Sequence, residues 1–513
     1  VFWFATIVFL RITLLSFIWL VSSFLSETIF EMCSKKAVLT VAQRTDVGMM
    51  ALAEGKESLN LNSATQTNRV PVVWSRGYDG TGTNVAILES DIVDFTANSN
   101  ECPSSTNPNN CFRNPGPILS TGNPSEGDHA TLVASVVGSN HPTYKGMAPG
   151  VRIISATSQG TKQGAIDGLV WAIDQAGAHV VNYSAGFCTG PNGMDIIDRA
   201  FDYYARLKAR LLVVASGNSN CPTFADYVVS PGKAWNVLTV GAYNDQSNAD
   251  WPDDVMSSFS SWRNPNTSYG ALEKPEIVAV GENVVGIGLN GNLITNYNLN
   301  SGTSFAAPQV SGLAALLIHR TSYLSGRPES LRAIIIASAN HNIEGTTGIP
   351  GGTDLRDGAG GINAAFADTV ASTYASSTCN SSCWWYEVIY PAVFDAYGYR
   401  YYNFNANAGD RIRVAIAWDS QVDCPSTGSC SYDRLDTDLN FGIMDANYNF
   451  LSGAWAASYA NSYELLPANG EFVIPTTGLY RIAVHKARFD EIVNFLGIAL
   501  SKTYNIHLPL VIR

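Results

Sequence analysis

The sequence predicts an α/β domain built on a largely parallel sheet, followed by an all-β sandwich of jelly-roll-like type. Three observations carry this. From about residue 80 to residue 365, short apolar runs alternate with stretches of helical apolar spacing. Beyond that the texture changes to aromatic-rich segments of period two, separated by turn residues. With 513 residues, the chain is too long for one ordinary core. Apolar residues make up 46% and charged residues 14%, a globular composition.

Taken in order, residues 1–25 are apolar apart from Arg11 and a few Ser and Thr. The expectation for 1–28 is a secretory signal peptide, with a membrane anchor as the alternative that its length permits. Residues 29–70 are polar and weakly patterned, a short N-terminal extension or prosegment ending in Asn68-Arg69-Val70-Pro71. Residues 71–370 form the α/β domain. Strands are expected at 85–88, 151–155, 180–183 and 211–215, and helix faces at Leu132/Val133/Val136/Val137 and Ile166/Leu169/Val170/Ile173. Another helix runs through Val310, Leu313, Ala314 and Leu317, with Pro308 tolerated because it lies in the helix's first turns, where backbone donors have no partner. Residues 371–378 read as a small polar linker. The sandwich occupies 379–513, with strands near 399–404, 411–417, 440–444, 471–474 and 480–484. The apolar run at 508–512 is too short to span a bilayer.

The net charge of −12 excludes nucleic acid as a partner, because a phosphate-binding surface needs a basic excess. Of the nine cysteines, three pairs are close in sequence and lie in Ser/Pro/Asn-rich loops: Cys102–Cys111, Cys379–Cys383 and Cys424–Cys430. They read as small disulfide loops of an oxidising compartment. Zinc is the competing assignment, but Cys379-x3-Cys383 has no adjacent histidine and no matching second pair. Loss of a leader that includes Cys33 would leave eight cysteines, in keeping with secretion.

Four motifs carry chemistry. Gly302-Thr303-Ser304-Phe305-Ala306-Ala307-Pro308 places a serine at a helix mouth, where its own N–H also faces outward. His129 opens a helix in Asp128-His129-Ala130-Thr131-Leu132-Val133-Ala134. Glu89-Ser90-Asp91 ends the first strand, and Asn218 follows the strand at 211–215 within Ala215-Ser216-Gly217-Asn218. Strand ends are where open α/β sheets gather ligand-binding groups.

These motifs, in this order, together with Asn182-Tyr183-Ser184-Ala185-Gly186, resemble those of the subtilases, the subtilisin-like serine proteases. The resemblance covers residues 72–370. It implies a secreted serine endopeptidase that needs no cofactor for catalysis, acts on proteins or peptides, and works as a monomer. Membrane contact is expected only if the N-terminal segment stays uncleaved. Ser304 is then the nucleophile, His129 the general base and Asn218 an oxyanion donor. Substrate backbone pairs along Ser184, Ala185 and Gly186, and Ser216 and Gly217 line the site. Asp128 is expected to cap the His129 helix. The resemblance also implies a Cys188–Cys221 disulfide beside the S1 pocket, with Val229 narrowing that pocket against large P1 residues.

The chain departs from the family at its acid. Glu89 stands where the family has Asp, and Asp91 stands where it has Gly. Glu89 is assigned the task of orienting His129, with Asp91 as competitor. Ala130 replaces the usual glycine after the histidine, and residues 29–70 are shorter than the usual prosegment. The C-terminal region resembles, more loosely, the sandwich appended to some secreted bacterial subtilases. There Asp433, Asp436 and Asp438 form an acidic turn, with Asp436 and Asp438 as candidate ligands of a structural Ca²⁺. Two alternatives stand: a catalytically impaired homologue acting as a secreted binding protein, and an α/β-hydrolase using Ser184 as nucleophile.

Overall fold

The computed structural model describes residues 61–96, 111–119, 124–343, 356–424, 430–468 and 470–503. The expected signal or anchor at 1–28, most of the segment 29–70 and the 508–512 run lie outside these residues. Among the described residues, no helix is long and apolar enough to cross a membrane.

Two short helices, α1 (Leu61–Thr67) and α2 (Val70–Ser75), precede the sheet. Val70 and Val73 are fully buried, and Asn68 donates to Gln309 Oε1 at 2.6 Å. Residues 61–70, expected to belong to an extension, are thus part of the α/β core. Their two short apolar turns gave too little periodicity to be recognised in sequence.

The sheet comprises β1 (Asn84–Glu89), β2 (Asn114–Ile118), β3 (Arg152–Thr157), β4 (Val180–Tyr183), β5 (Leu211–Ala215), β6 (Leu238–Asn244), β7 (Val255–Met256) and β8 (Ile277–Val280). Its order is β8-β6-β5-β4-β1-β3-β2, all parallel, with β7 antiparallel on β6. Strands β1, β3, β4 and β5 are buried almost throughout, as continuous apolar runs between two helix layers should be. The covering helices include α3 (Asp128–Gly138), α4 (Lys162–Asp174), α5 (Ile196–Lys208) and α6 (Thr303–Arg320). From Thr303 to Ile318, α6 is buried on all sides, which explains its lack of a polar face.

After α7 (Pro328–Ser338) and α8 (Ala364–Ala371), the chain forms two antiparallel sheets. One contains β9 (Cys383–Ile389), β11 (Arg411–Ala417), β16 (Tyr463–Leu466), β17 (Phe472–Val473) and β19 (Asn494–Thr503). The other contains β10 (Tyr399–Ala406), β14 (Thr437–Met444), β15 (Phe450–Ala456) and β18 (Gly478–Phe489). A small hairpin, β12 (Gln421–Asp423) with β13 (Tyr432–Arg434), projects from the sandwich toward α5.

The sandwich is not tethered by a free linker. Along β11, Ile412, Val414 and Ile416 enter the sandwich core, while Ala415 and Ala417 join the α/β core. Small residues on that outer face let α7 approach closely: a Cβ on Gly497 would stand 2.3 Å from the Glu329 backbone. Arg332 of α7 is fully buried and donates to the carbonyls of Trp418 and Trp235 and to Ser462 Oγ. Residues 373–375 within the expected linker pair with Trp384: Ala375 N–H donates to Trp384 O and Trp384 N–H to Thr373 O. Both parts belong to one compact unit.

Disulfides join Cys188–Cys221, Cys379–Cys383 and Cys424–Cys430. Cys111 is disulfide-bonded, while its expected partner Cys102 lies outside the described residues. Asp436 pairs with Arg434, and the one group of three or more potential metal-binding side chains among the described residues lies elsewhere.

Candidate active site

The sheet order reverses at β1. Strands β2 and β3 lie on one side of it, and β4, β5 and β6 on the other, so a crevice opens beyond the carboxyl ends of β1 and β4. Pairing of Leu88 with Tyr183, and of Tyr183 with Val214, sets those strand ends level. Glu89, Ser184 and the 216–218 turn consequently emerge side by side.

Glu89 is the last residue of β1 and is 2% exposed. Its Oε2 lies 3.2 Å from His129 Nδ1, so the longer glutamate side chain does reach the ring. Burial lowers the His129 pKa. The charge and hydrogen bond of Glu89, joined by the charge of Asp91, outweigh this and leave it raised. Asp91 packs against the entry to α3, where a Cβ on Gly127 would fall 1.3 Å from Asp91 Oδ2. Gly127, not Asp128, is the N-cap residue of that helix, and Asp128 instead accepts the Leu289 N–H at 2.8 Å. The absence of a side chain at Gly127 is what admits Asp91, and this left the helix without the expected side-chain cap.

Ser304 lies in the first turn of α6, and the Phe305 ring packs 5.5 Å from the His129 ring. Its Oγ donates to Ser184 O at 3.0 Å rather than to His129. Ser184 Oγ in turn donates to Ser304 O at 2.8 Å, so two reciprocal bonds fix Ser304 to the end of β4. Pro308 lies within the first turns of α6, as the sequence suggested, but past the N-terminal donors that have no helical partner. Having no N–H, it leaves the Ser304 carbonyl unserved within the helix, and the Ser184 hydroxyl takes that place. Asn182 Nδ2 donates to Ser184 Oγ at 2.8 Å, and Ser311 Oγ donates to Asn182 Oδ1 at 3.0 Å. The Ser184 hydroxyl is thus fully engaged and buried, with no histidine on it, which removes it as a nucleophile.

The Asn218 side chain accepts from Thr303 N at 2.9 Å and from Thr303 Oγ1 at 2.8 Å. An N–H donor requires an oxygen opposite it, so this assigns Oδ1 to Thr303 and leaves Nδ2 as the free donor. A Cβ on Gly302 would stand 3.1 Å from that Nδ2. Thr303 was overlooked in sequence because its role is visible only once the 216–218 turn faces α6.

Gly186 and Gly217 both border Val229. Added Cβ atoms would meet its methyl groups at 2.2 and 2.9 Å. The Val229 side chain therefore fills the space between the strand edge after Ser184–Ala185 and the Ser216–Gly217 turn. Val229 N–H donates to Ser216 O at 3.0 Å, and the Cys188–Cys221 bond ties the two walls together.

The arrangement can perform acyl transfer. A hydroxyl, an imidazole oriented by a buried carboxylate, and an unengaged amide donor surround one crevice. Similarity to known proteins agrees with this chemistry. The model of the subtilase family matches residues 80–364. The alkaline elastase YaB of Bacillus sp. (strain YaB) is 33% identical over 259 residues, which is 49% of this chain and 58% of that protein. The serine protease AprX of Bacillus subtilis (strain 168) is 30% identical over 227 residues, 40% of this chain and 50% of that protein. Subtilisin Savinase of Lederbergia lenta is 31% identical over 259 residues, 48% of this chain and 81% of that protein. The chain spans about half the length of the first two.

Proposed function

Because this chain belongs to the subtilase family, we propose that it is a serine endopeptidase acting through an acyl-enzyme on Ser304. His129 removes the Ser304 proton as Oγ attacks the scissile carbonyl, and later delivers it to the leaving amine. Glu89 keeps the Nδ1–H tautomer and stabilises the imidazolium. Asn218 Nδ2 and the Ser304 N–H receive the oxyanion of the tetrahedral intermediate. Water then enters, activated by the same histidine, and frees the acid product. Attack requires Ser304 Oγ to leave the Ser184 carbonyl and turn toward His129, a rotation about one side-chain bond.

An extended peptide lies along Ser184, Ala185 and Gly186 as an added strand. Val229 limits the P1 side chain to small residues. The disulfides fit an oxidising, extracytoplasmic compartment. The observation that carries the proposal is the 3.2 Å approach of Glu89 Oε2 to His129 Nδ1, because the acid is where this chain departs from its family. A sulfonyl fluoride reagent should label Ser304, and Ser304→Ala should abolish casein hydrolysis. Absence of labelling on folded protein would refute the assignment and favour a binding role.

A further inference from the structure

We propose that Glu89, Asp91 and His129 form an inhibitory site for a divalent transition cation of the Zn²⁺ class. This inference rests on the proposed role of His129 only for its effect on catalysis, not for the binding itself.

Three observations converge on it. One ligand atom from each of the three side chains lies within 4.8 Å of the others, a separation that one ion can span. Glu89 is 2% exposed, and while its Oε2 faces His129, its Oε1 has no hydrogen-bond partner. A buried carboxylate oxygen with no donor carries an unmet demand for positive charge. Asp91 Oδ1 has only a long contact, 3.4 Å from Ser90 Oγ, and its carboxylate is held over Gly127, two residues before His129. The charges acting on His129 are both negative, with no Lys or Arg among them.

The ligand set selects the ion. One imidazole with two carboxylates suits Zn²⁺ and its neighbours, whereas Ca²⁺ and Mg²⁺ prefer an all-oxygen shell. The consequence follows from the two ring nitrogens. In the resting site the neutral ring carries its proton on Nδ1, facing Glu89, and its lone pair on Nε2. A cation on Nδ1 needs a lone pair there, so the Nδ1 proton passes to Nε2, and the ring as a whole neither gains nor loses a proton. An imidazole protonated at Nε2 has no lone pair there to accept the Ser304 proton. Inhibition therefore acts through tautomer exchange and does not require the ion to block the substrate strand. An Asp at position 89 would reach less far, and a Gly at position 91 would remove one ligand, so both departures from the family pattern contribute to the site.

The test uses calorimetric titration of the full chain with Zn²⁺ in the Ser304→Ala background, where binding is read without activity. The expected result is a binding event that weakens by about tenfold or more in Ser304→Ala/Asp91→Asn, with the thermal melt of metal-free protein unchanged. In the Ser304-containing enzyme, Zn²⁺ should inhibit peptide hydrolysis reversibly on chelation, and Asp91→Asn should raise the inhibition constant by the same factor, each protein normalised to its own metal-free rate. Equal Zn²⁺ affinity with and without Asp91 would overturn the site. Binding that depends on Asp91 but leaves the rate unchanged would overturn the inhibitory mechanism. Failure of Ser304 to react with a sulfonyl fluoride would refute the protease assignment while leaving the binding result intact.

Discussion

At the residue scale, the proposed mechanism turns on a glutamate standing where the family has an aspartate. One extra methylene moves the carboxylate outward, and the end of β1 offers room for it, because Glu89 is buried yet still contacts His129 Nδ1. Glu89→Ala should lower kcat by about 10⁴-fold in metal-free buffer, the scale seen when a triad acid is lost. Asp91→Ala should cost far less, since Asp91 acts on the ring only by charge. A steady-state comparison of the two variants distinguishes the roles, and a wild-type rate for Glu89→Ala would exclude Glu89 as the orienting acid. The proposed P1 specificity likewise turns on one residue. Val229 occupies the space between Gly186 and Gly217, so a peptide library should show preference for small P1 residues. Val229→Gly should shift that preference toward Phe and Tyr. Best cleavage after aromatic residues by the native enzyme would contradict this.

At the element scale, the proposed nucleophile Ser304 is held by a contact between a strand end and a helix interior. Pro308 deprives the Ser304 carbonyl of its helical partner, and the Ser184 hydroxyl supplies one. Ser184→Ala should leave that buried carbonyl unpaired and destabilise the fold by about 1–3 kcal/mol, measurable by urea unfolding. Full native stability would show that another donor replaces it. The sequence contained a clue, since a proline inside an apolar helix always frees one carbonyl. Its partner was hidden because Ser184 is 120 residues away. The Cys188–Cys221 disulfide closes a separation of 33 residues between the two pocket walls. Replacing both cysteines with serine should cost about 3–4 kcal/mol by loop-closure entropy and broaden the P1 profile.

At the scale of the whole molecule, the sandwich is welded to the α/β unit through buried acidic groups. Asp202 of α5 faces Asp433 of the β13 hairpin strand, Glu329 of α7 faces Asp419, and Glu464 of β16 lies near Glu273. Burial, with the neighbouring carboxylate, pushes Asp433, Glu329 and Glu464 well above the usual carboxylate range. Burial also pushes Asp202 up to about 6, although its backbone donors and Asp433 pull the other way. Raised folded-state values mean that the folded form holds more protons than the unfolded one. The associated stability is complete below the unfolded carboxylate range near pH 4. It is lost as pH rises from that range through the folded-state values, of which that of Asp202 is about 6. Melting temperature should therefore fall between pH 5 and pH 8 by about 1 °C per kcal/mol lost for a unit of this size. Asp433→Asn, which needs no proton, should flatten that slope. An unchanged slope would show that the pair does not titrate in this range.

What the sequence determined by itself was the set of local patterns. Buried parallel strands, the all-round apolar helix after Gly302, the period-two strands of the sandwich and the Glu89, His129, Asn218 and Ser304 motifs all follow from residue type and spacing within short windows. Tertiary structure decided everything that depends on distant residues meeting. It placed residues 61–70 in the core, put Gly127 rather than Asp128 at the helix cap, and paired residues 373–375 of the expected linker with Trp384. It also gave Thr303 the Asn218 carbonyl and brought Asp91 against the turn that carries His129. Local patterning is set by backbone geometry and solvent, and so can be read along the chain. A hydrogen-bond partner or a shared pocket is set by packing between elements far apart in sequence, and exists only once the sheet has brought their ends together.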